Sequence, residues 1–161
     1  MAQYPTIKPG LEENYMDRFK RGFIAGILAG IIVFIIGLIL YYLNLTDLLW
    51  MNFAAVMIFG RKPLLLGERV FAEIAVLFFG GLMGIVYAYL IERINSEDHL
   101  LKGFVFSETI WFSSFAITLL FDVPEFRIII FKSSLVNFVL AAIWGLGTSE
   151  ILHRIDTRKV T

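Results

Sequence analysis

The sequence predicts an all-α integral membrane protein, a four-helix bundle with one short extra helix after its first span. Three observations predict it. Of 161 residues, 58% are apolar and 17% are charged, where a soluble domain carries about a quarter charged. The apolar residues gather in four nearly charge-free blocks of the length that crosses a bilayer core. The basic residues are uneven between the connections, with Lys8, Arg18, Lys20, Arg21, Arg93, Lys102, Arg154, Arg158 and Lys159 on one side and Arg61, Lys62, Arg69, Arg127 and Lys132 on the other.

The first block is residues 22–43, and at about 1.5 Å of rise per residue it makes roughly 33 Å of helix, enough to cross with slight tilt. The second is residues 70–91, the third 103–121 and the fourth 133–152. The basic excess before the first span places both termini in the cytoplasm by the positive-inside rule. Residues 1–17, with Pro5, Pro9 and Gly10, read as a cytoplasmic tail turning helical near Glu12. Residues 18–155 form one transmembrane domain, and 156–161 a short cytoplasmic tail.

Residues 48–59 (LLWMNFAAVMIF) are apolar but too short to span, which predicts an interfacial helix over about 47–59 on the outer side. Thr46 or Asp47 is placed to cap its first amides, Gly60 to end it in the left-handed conformation, and Trp50 to sit at the headgroup level.

The two halves of the chain read as a duplicated hairpin, with chance likeness between apolar helices as the alternative. GGLMGIVYAYLIERI ends the second span and AAIWGLGTSEILHRI the fourth, so Gly84 falls on Gly145 and Ala88 on Ser149. Arg21-Gly22-Phe23 likewise matches Lys102-Gly103-Phe104. Both hairpins start and return on the same side, which makes the repeat parallel. Small residues recur every four positions in three spans: Gly22, Gly26 and Gly30; Gly80, Gly84 and Ala88; and Ala141, Gly145 and Ser149. Such faces let backbones approach closely, which is what holds helices together in lipid. The third span is read as lacking the motif.

Ionisable groups inside apolar blocks mark function or a structural partner. They are Glu73, Glu108 and Glu150. Arg69 lies four residues before Glu73 and Arg154 four after Glu150, so each pair is expected to close along its own helix. Glu108 has only apolar neighbours at helical spacing and is expected to bond across to the fourth span, with His153 or Arg154 as partner. Asn137 reads as a helix-to-helix hydrogen bond.

Several classes fall away. Zero formal net charge gives no basic surface for nucleic acid. With no Cys there are no disulfides and no thiolate sites, and His99 and His153 both lie outside the apolar blocks, so no intramembrane haem pair is expected. HExxH, GxSxG and nucleotide-loop patterns are absent. No catalytic residue, cofactor or metal is therefore expected.

The segment RGFIAGILAGIIVFIIGLILYYLNLTDL resembles the first span of the YqhR-type small membrane proteins of Gram-positive, spore-forming bacteria, including its turn from Tyr42 to Asp47. The likeness extends more loosely over residues 18–155. A more distant similarity is to YagU-like inner-membrane proteins. These resemblances imply four spans and a bacterial plasma membrane, and they supply no catalytic residue. The expected role is a non-enzymatic structural or accessory subunit, in contact with lipid and with a larger complex or further copies of itself. The alternative is a small proton or ion channel or transporter using Glu108.

Overall fold

A computed structural model describes residues 9–94 and 97–157, with side chains from residue 18 to residue 156. Readings that concern residues 1–8, Asn95, Ser96 and 158–161, the outer parts of both tails among them, lie outside the described residues. The described elements are α1 (Pro9–Tyr42), α2 (Trp50–Phe59), α3 (Leu66–Leu90), α4 (His99–Leu120), a 3-10 turn (Pro124–Phe126) and α5 (Phe131–Thr157).

Four helices are long and apolar enough to cross a membrane, through Arg18–Tyr42, Leu66–Leu90, His99–Leu120 and Phe131–Asp156. Each outruns its apolar block at one end or both, because a helix continues until its free amides and carbonyls find partners. Asp98 stops α4 by accepting from the Leu101 amide at 3.0 Å. Glu68 does the same for α3, accepting from the Leu64 amide at 2.8 Å while Arg61 grips it from the α2–α3 connection at 2.7 and 2.9 Å. The segment read as a tail is helical from Pro9 onward, in keeping with the fit of proline to a first helical turn.

α1 packs against α3 and α5, and α5 packs against α4, so the helices follow one another as α3, α1, α5, α4. α3 and α4, consecutive in the chain, make little direct backbone contact. They approach through side chains, with the Tyr87 and Phe106 rings 5.4 Å apart. Large apolar residues such as Ile24, Ile35, Phe78 and Phe112 point outward, the reverse of a water-soluble core and the arrangement lipid favours.

The α1–α3 and α4–α5 seams are built from small residues. A Cβ on Gly22 would lie 2.7 Å from the Gly84 carbonyl oxygen and 2.9 Å from Ala88 Cβ, and one on Gly84 would lie 2.9 Å from Gly26 Cα. In the other seam, a Cβ on Gly103 would lie 2.7 Å from Ser149 Cβ, and one on Gly145 would lie 2.6 Å from Ser107 Cβ. The third span thus does carry a small-residue pair, Gly103 and Ser107, contrary to the sequence reading. Serine is small enough to serve, and a search for repeated glycine or alanine passes over it. Gly81 was also missed, and the Phe23 ring lies where its side chain would be.

The start of α1 and the end of α5 are joined by the Arg21–Asp156 ion pair, and Arg18 pairs with Glu92 beyond the end of α3. This is the proximal end of the bundle. At the distal end α2 packs along α3, and Phe53 stacks on Phe126 of the 3-10 turn with ring centroids 4.4 Å apart. Neither Thr46 nor Asp47 caps α2, whose cap position is Leu49 and has no side-chain hydrogen bond. Thr46 instead closes a turn on Leu48 (3.1 Å to its amide) and Asp47 bonds to Ser133 of α5. Tertiary contacts took both side chains away from the helix end. Gly60 ends α2 at φ 71°, as predicted. Trp50 packs on Phe53 and lines the bundle interior.

Candidate functional site

At the proximal end, Glu150 accepts from Arg154 Nε at 2.6 Å, the pair expected from the sequence, and also lies 3.2 Å from His99 Nε2. The His99 and His153 rings stack with centroids 4.2 Å apart. Ser149 donates to the His99 carbonyl at 2.6 Å, and Tyr87 Oη lies 2.8 Å from Ser149 Oγ. Tyr87 and Ser149 are both buried. This network ties α3, α4 and α5 together and leaves its carboxylate fully engaged, so it acts as a joint.

Asn137, fully buried on α5, donates to the Leu48 carbonyl at 3.1 Å and to the Ser133 carbonyl at 2.8 Å. It fastens the α1–α2 connection to α5, so the tertiary hydrogen bond runs from helix to loop and not from helix to helix as expected. Its Oδ1 accepts nothing.

Glu108 departs from expectation. Both of its carboxylate oxygens are enclosed and neither has a hydrogen-bond partner, and Trp111 Nε1, one turn on, is in the same condition. The proposed partners are taken: Arg154 serves Glu150 on its own helix and His153 lies against His99. Depth could be read from residue number, but the direction around the helix axis could not.

Glu73 also departs. Arg69 is exposed and makes no ion pair with it among the described residues. Instead Glu73 lines a partly open cavity of about 100 Å³ to which all five helices contribute. Its aromatic walls are Phe34 of α1, Trp50 of α2, Phe79 of α3, Trp111 of α4 and Trp144 of α5. Phe79 is 51% exposed and forms part of the rim. Trp144 is held by a hydrogen bond from Nε1 to the Gly26 carbonyl at 3.0 Å. Gly30, Gly80 and Ala141, read as packing residues, also line this space, Gly30 and Gly80 without side-chain bulk.

Glu73 is the one ionisable group among the lining residues, and Ser107, the other small polar group, donates its hydroxyl to the Phe104 carbonyl at 2.9 Å. An isolated carboxylate among indoles has no second acid, base or nucleophile beside it, so the arrangement suits binding a donor or a cation. Among the described residues no cluster of His, Cys, Asp or Glu could hold a metal ion.

The cavity left a trace in the sequence that was not used. Glu73, Val76, Gly80 and Met83 follow helical spacing along one face of α3, and Gly30, Val33, Phe34 and Gly37 do so on α1. A stripe of small and apolar residues around one acid is the signal. Compared with known protein families, with characterised proteins and with solved structures, the chain finds no match.

Proposed function

We propose that this chain is a non-enzymatic, multi-pass protein of a bacterial plasma membrane, with both termini in the cytoplasm, serving as a structural or accessory subunit of a larger assembly or a homo-oligomer. The observation that carries this reading is that no two of the deep polar groups Glu73, Glu108, Asn137 and Glu150 are bonded to one another. Glu150 is held by Arg154 and His99, Asn137 holds a loop, Glu108 is enclosed without a hydrogen-bond partner, and Glu73 sits in a mostly apolar cavity. Proton relays and catalytic sites need such groups within reach of one another.

The same proposal takes the halves as a duplicated hairpin of the YqhR-like kind. In support, Gly22 meets Gly84 and Ala88 as Gly103 meets Gly145 and Ser149, with Ser107 standing where Gly26 stands. Native mass spectrometry after mild-detergent extraction tests the role. A defined assembly, with further copies or other chains, is expected. A lone monomer that carries a proton flux in liposomes, lost in Glu108→Gln, would replace this reading with a channel or transporter.

A further inference from the structure

We infer that the central cavity is a binding site for a small organic ammonium cation whose charge is met by Glu73. This goes beyond the subunit role and does not depend on it. A carboxylate in a low-dielectric interior needs a counter-charge or donors. Among the described residues none is supplied, since Arg69 is exposed and makes no ion pair with Glu73. Besides protonation, which would make cation and neutral isostere bind alike in the test below, three kinds of occupant could answer the charge: water, a metal cation or an organic cation.

The walls discriminate between them. A hard metal cation takes about six oxygen ligands, and here one carboxylate and one already committed hydroxyl are the side-chain oxygens. Water offers hydrogen bonds but no counter-charge, so it leaves the charge of Glu73 unmet. An alkylammonium group needs one anion and aromatic faces, and indole is the best of these. Trp50, Trp111 and Trp144 are all three tryptophans of the chain, and all three line the cavity.

Size narrows the class. The enclosed space, about 100 Å³, is smaller than the roughly 150 Å³ cavity that admits benzene. A trimethylammonium head, no smaller than benzene, therefore enters only partway and keeps part of its surface at the open side. The open side, with half-exposed Phe79 at its rim, leaves an exit for an apolar tail toward the lipid-facing surface. The ligand is therefore amphiphilic, either a free amine or a lipid with a methylated ammonium headgroup.

The test uses the full chain in phosphatidylglycerol vesicles, titrated with benzyltrimethylammonium and followed by intrinsic tryptophan fluorescence, since all three tryptophans are in the cavity walls. Saturable binding is expected, with the neutral carbon isostere neopentylbenzene binding about tenfold or more weakly. Glu73→Gln should weaken the cation about tenfold and leave the isostere unchanged, while Glu108→Gln should leave both unchanged. Equal binding of cation and isostere to the native chain overturns the proposal whether or not the variant folds. So does full cation affinity in a folded Glu73→Gln protein. Repeating the titration in phosphatidylcholine, with both lipids at high salt so that surface attraction is screened, separates the sources: competition by the lipid identifies a headgroup as the occupant, and an unchanged curve identifies a free amine.

Discussion

Trp144 of α5 donates its indole N–H to the backbone carbonyl of Gly26 on α1 at 3.0 Å, and Gly80 of α3 faces the same ring. A Cβ at Gly80 would stand 3.4 Å from that indole nitrogen. One hydrogen bond thus joins α1 and α5 at the wall of the cavity, with α3 packed beside it. It is also one of the few polar ties in a region where close packing is the main attraction.

Trp144→Phe keeps most of the ring and removes the bond. It should lower the unfolding free energy in detergent by about 0.5–1.5 kcal/mol, read from a denaturant titration followed by circular dichroism. A loss several times larger would mean that the ring's shape, rather than the bond, sets the α1–α5 distance.

Both seams should answer alike to bulk. Gly84→Val and Gly145→Val each push a side chain into backbone of the facing helix, against Gly26 and Gly103 respectively. Each should cost about 1–3 kcal/mol or more by overpacking. Gly67→Val, where an added Cβ meets nothing within 4 Å, serves as a control of low cost at the opposite end of α3 from Gly84. Similar melting temperatures for all three would refute the seams.

Glu108 should be better replaced than kept. Its two enclosed oxygens lack partners, and an unmet buried polar group costs about 1–3 kcal/mol. Glu108→Met, similar in length and apolar, is expected to hold or raise the unfolding midpoint. A marked fall would reveal that the carboxylate has a partner in the intact assembly.

The proposed orientation can be read by labelling in a chain that has no cysteine of its own. Lys62→Cys, on the exposed α2–α3 connection, should react with an impermeant maleimide in intact cells, and Glu97→Cys should be protected until the membrane is opened. The reverse pattern would invert the topology.

The amino-acid sequence by itself determined the spans, the short helix that ends at Gly60, the small residues of α1, α3 and α5, and the Glu150–Arg154 pair. All of these are set within one helix: length and apolarity decide whether a segment crosses, and residues four apart share a face whatever surrounds them. Only the tertiary structure decided which helices are neighbours, and with that where each polar group goes. Helical spacing places Arg69 beside Glu73 as surely as Arg154 beside Glu150, yet Glu73 lines the cavity and Arg69 is exposed. Thr46 and Asp47 had the right chemistry to cap α2 and were drawn to a turn and to Ser133. Ser107 became the counterpart of a glycine because Gly145 came to lie against it. The rotation of each helix about its axis is settled by how all the faces fit at once, and no single segment of the chain contains that information.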